Sequence, residues 1–175
     1  FDEIGYANNV FPLNEPGAMF SLTAMPPSNL GALTLMTYTP AHIRMPERSV
    51  VNLKNCSFRI TATIHTSDDT HGVIVAQGGN MAGWSLYLDE QSRPTYHYNW
   101  FGHVHSVLAD SEQLRAGRNE VVVDFAYDGG FGAGGTAALL VNGRAAGSMR
   151  IEKTVHDPMI DLNMFKSRLF SINLI

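Results

Sequence analysis

From residue 57 to residue 151, apolar and polar side chains alternate in short runs of period two, separated by Gly, Asn, Asp or Pro. Phe58, Ile60, Ala62 and Ile64 alternate with Ser57, Arg59, Thr61, Thr63 and His65, the pattern that a strand with one buried face requires. Residues 72–77 form a short apolar run, which predicts a strand covered on both faces. Residues 84–88 then put Trp84, Leu86 and Leu88 on one side of the next strand. Asp89-Glu90-Gln91-Ser92 predicts a hairpin turn into residues 94–99. Val121, Val123 and Phe125 alternate with Glu120, Val122 and Asp124, and residues 137–141 run into Asn142-Gly143. Asn and Gly both tolerate the positive φ of a type I′ turn, so 137–141 is expected to pair antiparallel with 145–151. Helical turns are expected only at 111–114 and 161–164. Many short strands between close turns predict an all-β fold, a two-layer antiparallel β-sandwich of jelly-roll, concanavalin-like form.

Residues 1–30 break the alternation with Asn8-Asn9, Asn14-Glu15-Pro16-Gly17 and Pro26-Pro27-Ser28-Asn29. They read as an extended arm or linker whose Val10, Phe11, Leu13, Met19, Phe20 and Leu22 need a surface to pack on, with the sandwich domain over residues 31–175. A length of 175 residues suits one domain with its own core. Charged residues are only 16% against 45% hydrophobic, which favours sheets with interior faces over long solvated helices. A net charge of -4 gives no electrostatic attraction to nucleic acid or to an anionic membrane, and neither is expected as a partner. The single cysteine, Cys56, excludes an intrachain disulfide. The chain begins at Phe1 with no basic region followed by an apolar run, as a piece of a longer polypeptide would.

Gly130-Phe131-Gly132-Ala133-Gly134-Gly135 matches G-x-G-x-x-G, but it joins two expected strands with no helix after it to hold a phosphate, so a tight connection is expected instead. His97, His103 and His105 lie close in sequence, the last two spaced to share a strand face. No third or fourth ligand is nominated beside them, so no metal is expected. Asp68-Asp69 and Asp89-Glu90 have the chemistry of calcium ligands and the commoner reading of solvated loops. Trp84, Tyr87, Tyr96, Tyr98, Trp100 and Phe101 make an aromatic centre read chiefly as core. Trp100 and Phe101, next to Gly102 at a loop tip, are the rings expected to be exposed. With Asn99 and His97, and Gln77 nearby, they are the candidate carbohydrate-binding residues. No G-x-S-x-G elbow or triad spacing appears, Cys56 reads as a small half-buried side chain, and Asn55-Cys56-Ser57 is a formal glycosylation sequon.

The blocks Gln77-Gly78-Gly79, Gly83-Trp84-Ser85-Leu86-Tyr87 and Tyr127-Asp128-Gly129-Gly130 resemble the C-terminal accessory domain of bacterial arylsulfatases. Asn9-Val10-Phe11-Pro12-Leu13-Asn14 is similar to the segment that leaves the catalytic domain there, with Asn14 where an acidic residue usually stands. Tyr38-Thr39-Pro40, Arg44-Met45-Pro46-Glu47, Asn52-Leu53-Lys54-Asn55 and Ile60-Thr61-Ala62 extend the likeness over most of the chain, which departs from it after Lys153-Thr154-Val155. The resemblance implies a noncatalytic domain of a hydrolase that cleaves sulfate esters, with the sulfatase catalytic domain, or a second copy of the chain, as partner. The parent enzyme would use a divalent metal and a formylglycine made within a C-x-P-S-R-type motif. Cys56 is followed by Ser57-Phe58-Arg59, so that motif is absent and no catalytic residue, metal or cofactor is expected in this segment. With no targeting signal in it, bacterial cytoplasm and periplasm both stay open. The alternative is an independent, lectin-like carbohydrate-binding module.

Overall fold

The computed structural model describes residues 34–39, 45, 49–78 and 81–155, and the backbone of 170–174. The expected arm at 1–30, the helical turn at 161–164 and the blocks at 9–14 and 156–158 lie outside the described residues. Ten strands are described: β1 (Leu35–Tyr38), β2 (Phe58–Thr66), β3 (Gly72–Gly78), β4 (Gly83–Leu88), β5 (Pro94–Trp100), β6 (Val104–Ala109), β7 (Gly117–Tyr127), β8 (Gly135–Val141), β9 (Arg144–Ile151) and β10 (Phe170–Leu174). They form two antiparallel sheets, one ordered β1-β10-β2-β7-β8-β9 and the other β3-β4-β5-β6. The fold class is therefore the expected two-layer sandwich.

The core follows from the period of two. In β2 the residues Phe58, Ile60, Ala62 and Ile64 are buried and stand opposite Phe125, Val123, Val121 and Asn119 of β7. Leu139 and Ala137 of β8 continue the layer. From the other sheet Trp84, Leu86 and Leu88 of β4 and Tyr96 and Tyr98 of β5 close it. Two tyrosine hydroxyls tie neighbouring segments to this core, Tyr38 Oη accepting the Val51 N–H at 3.1 Å and Tyr98 Oη the Val155 N–H at 2.8 Å.

Turn chemistry places the hairpins. Asn142 and Gly143 both have positive φ, 50° and 79°, and join β8 to β9 as the Asn-Gly pair predicts. Asn142 Oδ1 accepts the Glu120 N–H, extending the turn's hold to β7. At the β4–β5 turn Asp89 Oδ1 accepts the N–H groups of Gln91 and Arg93, both at 2.9 Å, and its Oδ2 takes the Arg93 side chain.

Two expectations are corrected. Residues 72–77 are not covered on both faces: Gly72 and Val73 are exposed, and a bulge between Val73 and Val75 turns Ile74 inward together with Val75. An extra residue in the strand, not a second covering layer, makes the run look continuously apolar. Residues 111–114 form no helical turn, because Asp110 Oδ1 accepts the Glu112 N–H and Leu114 N–H reaches across to Ser92 O, holding the segment open as a link between β6 and β7.

Candidate functional site

The register of the four-stranded sheet decides which side chains share its outer face. Ser85 stands opposite His97, and His97 opposite Val107; Gly83 stands opposite Asn99, and Asn99 opposite His105. On β3, Ala76 and Gly78 complete the same rows beside Ser85 and Gly83. Together they line an open groove of about 410 Å³ with Gln77 and Trp84 beneath. Its floor is bare backbone. Gly78 and Gly83 face each other at φ 115° and 140°, and a Cβ on either would lie 2.2 Å from a carbonyl oxygen, that of Ala82 or of Gln77. Only glycine fits there. Under the floor the Trp84 indole N–H donates to Gln77 Oε1 at 3.2 Å, so the Gln77 side chain belongs to the interior and not to the outer face.

The groove wall is a histidine pair. His97 Nε2 lies 2.9 Å from His105 Nδ1, and the ring centres are 5.1 Å apart with planes inclined by 29°. That centre-to-centre distance is close to the nitrogen separation with one ring radius added at each end. The rings therefore meet edge to edge along a hydrogen bond, not face to face. Burial, and then the neighbouring His105, push the His97 imidazole below its ordinary 6.5. Asn99 Oδ1 accepts the Gly102 N–H at 2.8 Å, which fixes this side chain between the groove and the β5–β6 loop.

The expected carbohydrate set divides. His97 and Asn99 face the groove, while Trp100, one residue on, points to the other side of β5. Its indole lies edge-on to Phe101, 82° between planes, with Lys153 Nζ 5.4 Å from the ring centre. Trp100 lines a separate cleft of about 240 Å³ with Tyr98, Val104, Arg150 and Lys153. Phe101 is half-buried at the loop tip with φ 51°. His103 lies in that loop, before β6 begins, so it does not share a strand face with His105. Among the described residues no three His, Cys, Asp or Glu side chains converge as metal ligands would. The sequence groups His105 with His97 only as histidines close in the chain, and it does not nominate Ser85 or the two glycines beside them. Cross-strand register brings them together, and sequence alone does not carry it.

The glycine loop is committed internally. Asn55 Oδ1 accepts the Gly132 N–H at 2.9 Å, and Tyr127 Oη accepts the Ala133 N–H at 3.0 Å. Two amides of the loop are thereby spent on the fold. Asn55, the sequon residue, is held by the same contacts, and Cys56 is half-buried with its thiol pushed up by burial.

No family model matches the chain, and no curated protein matches it. Among solved structures, the CBM40 of the Ruminococcus gnavus IT-sialidase superposes with a TM-score of 0.50 at 14% identity, over 69% of this chain and 76% of its own. The endo-β-1,4-glucuronan lyase of the fungus Trichoderma reesei gives a TM-score of 0.50 at 12% identity, over 85% of this chain and 83% of its own. Domains LG4-5 of the mouse laminin α1 chain give 0.47 at 14% identity over 74% of this chain, which spans only 30% of that one. At such identities the likeness is one of architecture, and the chain is an antiparallel sandwich of the jelly-roll type.

Proposed function

We propose that this chain is a noncatalytic, lectin-like module that binds carbohydrate in the groove on the outer face of β3–β6. The observation that carries the reading is the groove itself, a glycine floor that lets a ligand approach bare backbone beneath a wall of Ser85, His97, Asn99 and His105. Short hydroxyl, amide and imidazole groups over a flat floor suit a ligand dense in hydroxyls, since each offers a donor or an acceptor at fixed positions. Two solved structures of this architecture, a sialidase's CBM40 and a glucuronan lyase, are named for saccharide chemistry, which supports the choice of ligand class.

Calorimetric titration against glycans selected on an array tests the proposal. His97→Ala and Asn99→Ala are each expected to weaken binding about threefold to tenfold, the worth of one hydrogen bond, while Trp100→Ala leaves affinity unchanged. An array without hits, or binding that follows Trp100 and ignores His97, overturns it.

Support of an arylsulfatase catalytic domain is a second proposal, favoured by the sequence blocks quoted above. In the fold those blocks knit strands: Gln77 to Trp84, Gly78 against Gly83, and Tyr127 around the glycine loop. A C-x-P-S-R-type motif encoded upstream of Phe1 is what this reading expects, and its absence from the parent gene would end it.

A further inference from the structure

Resting on the reading of the outer groove as a saccharide site, we infer that the His97–His105 pair sets the charge class of sugar the groove accepts. A neutral pair takes hydroxyl-rich neutral sugar, and a pair carrying one extra proton takes sugar bearing a carboxylate.

The inference follows from counting protons. His97 Nε2 and His105 Nδ1 face each other at 2.9 Å and share one proton whichever ring donates it. If His97 donates, its Nδ1 is an acceptor and His105 Nε2 is a donor; if His105 donates, the roles swap. In both cases the remaining two nitrogens present one donor and one acceptor, the complement of a hydroxyl pair. One further proton fits on the remaining acceptor without disturbing the shared bond. The wall then holds two donors and a positive charge, the complement of a carboxylate. A second extra proton would have to break the shared bond.

Among the described residues the pair alone brings titratable nitrogen to the groove wall. On the outer face of β3–β6, among the described residues, the only other ionisable side chain is Tyr87 of β4, beyond Ser85. Asp89, past the end of β4, is taken by Arg93. His103 lies in the loop toward Trp100, and Arg144 and Arg150 of β9, the strand packed beside β6, are paired with Asp110 and Asp128. Among the described residues no carboxylate opposes the added proton and no lysine or arginine supplies a standing positive charge at the groove. Burial, and then the neighbouring His105, lower the proton affinity of the His97 imidazole.

The test uses the whole 175-residue chain. Titrations with a neutral oligosaccharide and with one containing uronate are run between about pH 8 and about pH 5.5, across the histidine range. Uronate affinity is expected to rise about tenfold on acidification, with up to about half a proton taken up per ligand bound, while neutral-sugar affinity changes less than about twofold. The double variant His97→Gln/His105→Gln removes both titrating rings and is expected to weaken binding of both sugars and to abolish the pH dependence of uronate binding. Imidazole ¹⁵N shifts of the unmutated protein check the pair without ligand, and two rings titrating independently overturn the inference. So does uronate binding that ignores pH. Failure of both sugars to bind at either pH overturns the groove as a saccharide site altogether, a different outcome from binding without proton linkage.

Discussion

Tyr98 shows how one side chain serves both packing and closure. Its ring is buried, its oxygen holds the Val155 amide, and burial, partly offset by that hydrogen bond, pushes its phenol from 10.0 up to about 12. A phenol whose folded value is raised keeps its proton after the unfolded chain has lost it. Its stabilising contribution is complete below pH 10 and is lost as pH rises toward 12. Fully buried Tyr96 shifts the same way, by burial first and then Tyr98. Denaturant melts at a series of alkaline pH values should show stability falling across that window, and a flat profile would contradict the burial. Tyr127 works through its hydroxyl, which lies 3.0 Å from Asn55 Oδ1 and 2.9 Å from Gly130 O, and accepts Ala133 N–H. Tyr127→Phe keeps the ring and removes all three, so it should cost about 1–3 kcal/mol and speed amide exchange in residues 129–134, read by hydrogen exchange.

Among the elements, the hairpins were legible because their signals are local. Asn142-Gly143 and Asp89 at the head of its turn each fix a connection by residues within a few positions of one another. The central pairings had no such signal: β2 lies against β7, and β10 inserts between β1 and β2 from the far end of the chain. Local sequence does not encode which distant strand shares an edge. For the site, the period of two already separates His97 and Asn99 from Trp100, since neighbouring residues of a strand face opposite ways. The aromatic grouping overrode that parity. Recognising His105 and Ser85 required the register itself. The glycine pair ending β3 and beginning β4 gives an element-scale prediction. Gly83→Ala would drive a methyl into the Gln77 carbonyl at a φ of 140°. It should destabilise by more than about 1 kcal/mol in a thermal melt and abolish glycan binding together with the groove floor.

At the scale of the molecule, the two sheets are tied at one end by Arg144 of β9 and the fully buried carboxylate of Asp110 after β6, 2.6 Å apart. Asp110→Asn keeps the shape and removes the charge. Arg144 is half in water, which moderates the loss to about 1–2 kcal/mol, read from urea midpoints. The strand edges carry a further consequence. β1 is four residues long, β3 is bulged at Val73–Val75, and β6 and β9 lie together, with Gly147 against Leu108. A foreign strand seeking a straight, unpaired ladder finds a stub, a kink and a seam where the two sheets meet. With charged residues at only 16%, repulsion offers little defence against self-association, and the protection against edge-to-edge strand pairing into fibrils is built into the outline of the backbone itself.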